Sequence, residues 1–215
     1  MILTLKNISK RFKNQLVIEN ISMEFKPNTI YGIVGRNGSG KTVLLKMICG
    51  ILMPSSGEIL FDSENYIQKY GVPKSTRALI ESPEMINDLS GFDNLKILSS
   101  IQNTIDDNRI LETLKIVGLG GNEYKKYKDY SLGMKQKLGI AQTIMEDSDL
   151  IILDEPFNGL DDNSAKEIRT LIKKLKNNNK IIIIATHIKE DINSLIDELY
   201  RLDDGKLVYE KKNKK

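Results

Sequence analysis

Apolar residues near the start of the chain follow the two-residue period of β-strands. They alternate with polar residues from Ile2 to Leu5 and again from Ile18 to Phe25, and Lys13-Asn14 between them is a candidate turn. A short apolar run, Ile30 to Val34, then leads directly into a glycine-rich segment. The pattern predicts strands at both places and a third strand that ends at the glycines.

The spacing of apolar residues becomes helical further along the chain. Helical spacing first occurs at 43–48, after the glycine-rich segment, and short strands are predicted at 57–61 and 78–81. From 91 to 145 the apolar residues recur at intervals of three and four. This long stretch predicts a helical subdomain inserted between strands.

Two later segments, 150–153 and 181–184, are apolar at every position. Continuous apolar strands are typical of parallel sheets that are covered on both faces. A helix predicted over 165–176 lies between them, which makes a βαβ unit. We expect a single domain over 1–215, in which 1–90 and 146–215 form the catalytic core and 91–145 the inserted helical part.

The glycine-rich segment, Gly35 to Thr42, fits the spacing G-x-x-x-x-G-K-[ST] between a predicted strand and a predicted helix. Glycines let main-chain N–H groups turn inward around phosphates, and the positive end of the following helix points at the same anion. The lysine supplies a point charge for the β- and γ-phosphates, and the threonine hydroxyl is a ligand for Mg²⁺. The predicted nucleotide site comprises Asn37, Gly38, Ser39, Gly40, Lys41, Thr42 and Val43.

Two adjacent carboxylates, Asp154 and Glu155, follow the apolar segment at 150–153. Open α/β sheets bind ligands at the carboxyl ends of their strands. We expect Asp154 to orient Mg²⁺ through its water shell and Glu155, pointing elsewhere by strand alternation, to polarise an attacking water. Two acidic residues after a core strand are often simply exposed surface residues. Beside a phosphate-binding loop, however, the pair indicates nucleotide hydrolysis.

Further segments occur in an order that resembles the ATPases of ABC transporters. Residues 130–136, YSLGMKQ, resemble the signature segment usually written LSGGQ, and 158–161, NGLD, resemble the D-loop. His187 stands where the family has its switch histidine, and Phe12 where it has the aromatic residue that stacks on adenine. The resemblance covers essentially the whole chain. It implies an α/β P-loop NTPase (RecA-like) core with an N-terminal antiparallel β-subdomain and an inserted α-helical subdomain.

The resemblance also implies ATP and Mg²⁺ as ligands and a head-to-tail dimer with a second copy or a homologous ATPase subunit. Ser131 and Gly133 of one protomer would close over the γ-phosphate held by the other, and Asp161 is carried over as a nucleotide-site residue. His187 would act with Lys41 and Glu155 in catalysis. Integral membrane permease subunits are the implied partners, and they would hold the protein at the inner face of the cell membrane.

Glu81 departs from the family pattern, because most members have glutamine at this place. Glutamate here, together with the segment SLGMKQKLGIA, resembles the branch that exports bacitracin and lantibiotic-type peptides. A carboxylate suits the hydration shell of a hard cation, so Glu81 is expected to join the metal site and to link nucleotide state to the membrane subunits. Val43 replaces a common second hydroxyl residue, which predicts weaker contact with the α-phosphate.

Composition narrows the class of protein. With 40% hydrophobic and 28% charged residues and a net charge of +3, the chain has an ordinary soluble composition without the concentrated basic face of nucleic-acid-binding proteins. A solvated tail is predicted at the terminal lysines 211, 212, 214 and 215. No apolar run approaches the ~20 residues that span a bilayer, so we expect a cytoplasmic protein that reaches the membrane through its partner. The single cysteine, Cys49, fits a reducing compartment and is expected to be buried and unreactive.

Two alternatives stay open. An importer ATPase uses the same chemistry, and Glu81 is the one feature that favours export. A soluble ABC ATPase that acts on ribosomes or DNA usually has paired ATPase halves or long coiled-coil insertions, for which 215 residues leave no room. A GTPase or small-molecule kinase is disfavoured, since the chain shows no N-K-x-D segment and such proteins have no use for the signature segment.

Overall fold

The computed structural model describes residues 1–212 and divides them between two sheets and seven helices. The strands are β1 Leu3–Phe12, β2 Gln15–Phe25, β3 Thr29–Val34, β4 Ser56–Phe61, β5 Thr76–Leu79, β6 Leu150–Asp154, β7 Ile181–Ala185, β8 Glu198–Asp203 and β9 Lys206–Lys212. The helices are α1 Lys41–Ile48, α2 Tyr66–Tyr70, α3 Gly91–Ser100, α4 Asp107–Ile116, α5 Leu132–Ile144, α6 Asp162–Lys176 and α7 Lys189–Ser194.

The smaller sheet is antiparallel and has the strand order β2-β1-β4. Buried side chains alternate with more exposed ones at Leu3 and Leu5 of β1, and an irregularity in the pairing then shifts the next buried position to Ile8. These side chains pack in one core with the apolar face of α1. The predicted turn between the first two strands is confirmed at Lys13 and Asn14.

The larger sheet has the strand order β5-β6-β7-β3-β8-β9, and only β9 among these strands runs antiparallel to its neighbour. The central strands β6 and β7 are buried at all positions, which confirms the prediction of parallel strands covered on both faces. In the register, Ala185 lies opposite both Ile33 and Asp154. The carboxyl ends of β3, β6 and β7 therefore meet at one edge of the sheet.

Three helices and a single 3-10 turn at Tyr127–Asp129 occupy the chain between β5 and β6. Polar side chains begin these helices: Ser90 accepts from Asp93 N before α3, Asp106 from Arg109 N before α4, and Ser131 from Met134 N before α5. Their apolar faces share a core with one face of the larger sheet. With the parallel sheet and the antiparallel β-part, this arrangement confirms the predicted fold class.

Two predicted boundaries were wrong. The strand predicted at 78–81 is β5 at 76–79, and Glu81 lies beyond it with a left-handed φ of 63° that extended pairing does not allow. The helix predicted from residue 165 begins at Asp162, because the carboxylate of Asp161 accepts a hydrogen bond from Ser164 N and caps it.

The hairpin of β8 and β9 was not predicted, and it corrects the expectation of a solvated tail. Lys211 and Lys212 pair with β8 through their backbones, whereas Lys214 and Lys215 lie outside the described residues. Within residues 1–212, no helix combines the length and the apolar composition that a bilayer crossing requires.

Candidate functional site

The glycine-rich loop joins the end of β3 to the start of α1. Gly38 and Gly40 have φ values of 81° and 100°, in the left-handed region that favours glycine. A Cβ added at Gly38 would meet nothing within 4 Å, so the backbone conformation rather than space requires glycine there. At Gly40 both the backbone conformation and the lack of space require glycine, since an added Cβ would lie 3.0 Å from Cδ1 of Ile18.

The ammonium group of Lys41 lies inside this loop. Its Nζ donates to the carbonyl oxygens of Gly35 at 2.9 Å and Arg36 at 3.3 Å, and the residue is 8% exposed. The same helix begins at Lys41, so the positive end of its dipole and the lysine charge face one region. This arrangement suits the phosphates of a nucleotide.

Thr42 and Asp154 connect the loop to the end of β6. Oγ1 of Thr42 donates to Oδ2 of Asp154 at 2.8 Å. Burial raises the pKa of Asp154, the Thr42 hydrogen bond opposes that shift, and the nearby carboxylates of Glu155 and Glu81 add to it. A cation beside Asp154 would relieve this unfavourable concentration of negative charge.

Glu155 follows β6 and contacts the segment that follows β7. Its backbone N–H donates to Ala185 O at 2.9 Å, and its Oε1 lies 2.9 Å from Nδ1 of His187. The other carboxylate oxygen, Oε2, is buried and has no hydrogen-bond partner among the described residues. A carboxylate oxygen without a hydrogen-bond partner is a candidate proton acceptor once a water molecule reaches it.

Glu81 lies on the loop after β5 and forms an ion pair with Lys46 of α1. Nζ of Lys46 donates to Oε1 of Glu81 at 2.8 Å. The Glu81 side chain is 65% exposed, and it contributes to the same cavity as Asp154 and Glu155.

A cavity of about 510 Å³ contains these groups. Of the predicted site residues it is lined by Asn37, Gly38, Gly40, Lys41, Thr42, Val43, Glu81, Asp154 and Glu155. Ser39 lines a neighbouring cavity of about 430 Å³, beside Arg36 and the β8–β9 turn. Residues of three separate predicted segments, the glycine-rich loop, the loop at Glu81 and the acidic pair after β6, therefore come together at the carboxyl edge of the parallel sheet.

Four lining residues were not among the predicted site residues: Val17, Ser82, Gln136 and Asn158. Gln136 ends the segment 130–136, and its Nε2 donates to Pro156 O at 3.0 Å, next to Glu155. Asn158 begins the segment 158–161. The two quoted segments thus contained a signal for both residues, whereas nothing in the local pattern distinguished Val17 from other strand positions.

Ser131 and Gly133 do not line this cavity. Ser131 is exposed and caps α5 with its hydroxyl. A Cβ on Gly133 would lie 3.0 Å from the carbonyl oxygen of Gly159, so the start of α5 packs closely on the loop that follows Glu155.

Phe12, Asp161 and His187 are the other predicted site residues outside the cavity lining. Phe12 is 42% exposed at the end of β1, with Nζ of Lys10 5.1 Å from its ring centre. The carboxylate of Asp161 caps α6 and accepts from Ser164, which lowers its pKa. His187 contacts Glu155, which lines the cavity, through its Nδ1 atom.

The donor set fits Mg²⁺ when the cation also has phosphate and water ligands. Among the described residues there is no group of three carboxylate, histidine or cysteine side chains that could hold a metal by itself. Mg²⁺ is usually bound by one or two protein oxygens together with substrate phosphates. Thr42 and Asp154, in contact with each other beside Lys41, supply oxygens of this kind.

Comparison with known proteins gives consistent results. The family model described as ABC transporter matches residues 18–158. An ABC transporter ATP-binding protein of Bacillus subtilis strain 168 is 40% identical, over 94% of this chain and 92% of that protein. A bacitracin transport ATP-binding protein of Enterococcus faecalis is 35% identical, over 95% and 67% of the two chains. A lantibiotic transport ATP-binding protein of Streptococcus pyogenes is 32% identical, over 97% and 90%.

Solved structures share the fold. The ATP-binding subunit of an ABC transporter superimposes with a TM-score of 0.87 at 23% identity, over 95% of this chain and 87% of that one. A dimeric ATP-binding cassette in a post-hydrolysis state with ADP and Pi has a TM-score of 0.86 at 23% identity, over 98% of both chains. Together with the family match and the geometry of the site, these likenesses identify the chain as an ATP-binding protein and ATPase of the ABC transporter family.

Proposed function

We propose that the chain is the ATPase subunit of an exporter for antimicrobial peptides or related amphiphiles. The observation that carries the proposal is its similarity, over 95–97% of its length, to proteins named for bacitracin and lantibiotic transport. Glu81 in the nucleotide cavity is the feature of this chain that fits the same branch. An importer ATPase and a soluble non-transport ATPase are the less favoured alternatives.

The chemistry follows from the groups around the cavity. The loop amides and Lys41 hold the phosphates of ATP, and Thr42 and Asp154 would hold Mg²⁺, which would supply charge neutralisation. A water attacks the γ-phosphorus in line, the bond to the β–γ bridging oxygen breaks, and ADP leaves with that electron pair. Glu155 accepts the proton of the water, most directly at its unpartnered Oε2.

His187 is proposed to keep the base in place. A histidine that donates through Nδ1 to Oε1 of Glu155 orients the carboxylate and leaves Oε2 without a hydrogen-bond partner in the described residues. When Nε2 also carries a proton, this second N–H is available to donate to the γ-phosphoryl oxygens, where it would stabilise the developing charge.

Assembly as a head-to-tail dimer is proposed for the signature residues. Ser131 is exposed, and neither it nor Gly133 lines the cavity of its own chain. Their position outside that cavity supports the proposal that they serve a nucleotide held by a second copy or a homologous subunit. Asp161, which caps α6 after the loop that Gly133 packs against, is proposed to act at the same nucleotide. Integral membrane permease subunits are the proposed second partner, on the surface from Glu81 to Leu95. Phe12 is proposed to stack on the adenine.

The test is a resistance assay in a peptide-sensitive host. The chain is expressed together with candidate permease subunits, and the inhibitory concentrations of bacitracin and a lantibiotic are measured. Export predicts increased resistance that Glu155→Gln abolishes. Resistance unchanged by expression, with peptide or solute accumulating inside the cells, would contradict export and favour an importer.

Glu81→Gln refines this test. If Glu81 couples nucleotide state to the permease, the substitution reduces resistance more than it reduces the basal ATPase activity of the isolated subunit. Equal losses would make Glu81 catalytic only, and no loss in either assay would remove it from the mechanism.

A further inference from the structure

Lys46 occupies a position that the proposed mechanism does not use. It lies four residues after Thr42 in α1, so both side chains project from the same face of the helix. Its side chain is 27% exposed, and its Nζ donates to Oε1 of Glu81 at 2.8 Å. Lys46 does not itself line the nucleotide cavity, whereas Glu81 does.

The cavity has an unfavourable balance of charge for an anionic nucleotide. Three carboxylates line it, those of Glu81, Asp154 and Glu155, and Lys41 is the single cationic lining residue in the part of the chain that the structure describes. The pKa of Asp154 is raised by burial and, further, by the other two carboxylates, so their charges act on one another. ATP without a metal carries about four negative charges, and an uncompensated third carboxylate would repel it.

We propose that Lys46 is a positioning residue that neutralises Glu81 and thereby sets how strongly ATP binding depends on a divalent cation. It acts through Glu81, since its ammonium is on that carboxylate and outside the cavity lining. Without the cation, the ion pair keeps Glu81 from repelling the phosphates. With Mg²⁺ present, the cation provides the compensating charge and the contribution of Lys46 becomes small. The inference rests on the magnesium site proposed above.

The experiment measures ATP affinity of the isolated subunit by calorimetry, once in EDTA and once with excess Mg²⁺. Lys46→Met is expected to weaken metal-free ATP binding by about two- to fivefold, the range for an ion pair between partly exposed groups. Binding with Mg²⁺ is expected to change by less than about twofold. Lys46→Arg, which keeps the charge, restores the metal-free affinity.

Two further variants separate this role from a structural one. Lys74→Met removes an ion pair of similar length, 2.7 Å to Oδ2 of Asp62, away from the cavity, and leaves both affinities unchanged. In a Glu81→Gln background there is no carboxylate to neutralise, so the added Lys46→Met no longer alters the ratio of the two affinities. Thermal unfolding of every variant accompanies the binding data.

Two results would overturn the proposal. Equal weakening with and without Mg²⁺ would mean that Lys46 acts on the phosphates or on the fold instead of on the metal dependence. A change in the affinity ratio that persists in the Glu81→Gln background would mean that it does not act through Glu81. Evidence that the transporter is an importer would contradict the proposed export and leave this ratio untouched, so the two proposals fail separately.

Discussion

His187 and Glu155 lie side by side, with Nδ1 of the histidine 2.9 Å from Oε1 of the glutamate. They come from loops after two neighbouring strands, β6 and β7, whose register places Asp154 opposite Ala185. The pairing of the strands therefore sets the contact between the proposed base and its partner. The remaining carboxylate oxygen stays buried without a hydrogen-bond partner in the described residues.

Replacing this carboxylate tests its role as a base. Glu155→Gln is expected to lower ATP turnover by about 10²–10⁴, because the carboxamide is not a base while the phosphate contacts of the loop remain. Calorimetry should show ATP affinity close to that of the unsubstituted protein. Lys41→Ala is the contrasting variant and should weaken ATP binding by roughly 10- to 100-fold, since it removes a charge-assisted contact. Hydrolysis by Glu155→Gln at the original rate would exclude Glu155 as the base.

The proposed dimer is tested at Ser131, which is exposed at the start of α5. Ser131→Arg should fold and bind ATP as a monomer but fail to hydrolyse it, because a bulky cation would prevent closure on the partner's nucleotide. Sedimentation with ATP, in a Glu155→Gln background, should show dimers that the added Ser131→Arg abolishes. Activity per chain that does not vary with protein concentration, in a chain that never dimerises, would contradict the model.

A buried ion pair fixes the segment before His187. Arg169 of α6 donates through Nε to Oδ1 of Asp191 at 2.7 Å, and Thr186 donates to the other carboxylate oxygen at 2.9 Å. Burial raises the pKa of Asp191, which is fully inaccessible to solvent. Asp191→Ala is expected to lower the free energy of unfolding by about 3–5 kcal/mol, because it leaves a buried guanidinium without its inner partner.

Urea unfolding measures this loss, and the neighbouring Glu190 provides the control. Glu190 also pairs with Arg169, at 2.9 Å, but its side chain is 69% exposed. Glu190→Ala should therefore cost less than about 1 kcal/mol. Similar losses for the two alanine variants would show that burial of the pair does not determine its contribution.

Cys49 is partly exposed instead of fully buried as the sequence suggested, but its thiol should still be unreactive in the folded protein. Burial raises the pKa of its thiol to about 12. At pH 8 only about one thiol in 10⁴ is then ionised, so alkylation by iodoacetamide should be roughly 10³-fold slower than for an ordinary thiol. In 8 M urea the rate should rise to the ordinary value. Fast labelling of the folded chain would show that the surroundings of this partly exposed thiol do not suppress its ionisation.

The sequence predicted those parts of the site whose chemistry depends on short spacing. The phosphate-binding loop requires glycines at positive φ followed by a lysine, and both are recognisable within a few residues of sequence. Asp154 and Glu155 are recognisable in the same way, because they directly follow an apolar strand that ends beside the loop. The ion pair of Lys46 with Glu81 was not predicted, because it joins residues 35 apart and depends on the course of the loop after β5. Val17 likewise reaches the cavity only through the packing of the antiparallel sheet.

The β8–β9 hairpin was missed although its turn has a recognisable sequence. Asp204-Gly205 is a two-residue connection with φ values of 43° and 77°, as in the turns that favour Asp-Gly. The flanking strands mix charged and apolar residues, and the basic end of β9 resembled a solvated tail. Pairing with β8 at the edge of the sheet outweighs that local composition.

The backbone at Glu81 and Glu155 restricts how these positions change during evolution. Both residues have left-handed φ values, 63° and 47°, in which β-branched side chains are strongly disfavoured. A change between carboxylate and carboxamide keeps the same side-chain shape and leaves this backbone unaltered, so it needs no compensating mutation elsewhere. Valine, isoleucine or threonine would instead have to reshape the loop. The backbone therefore tolerates a change of charge at these two positions more easily than a change of shape, although at Glu155 the loss of the carboxylate also removes the proposed base.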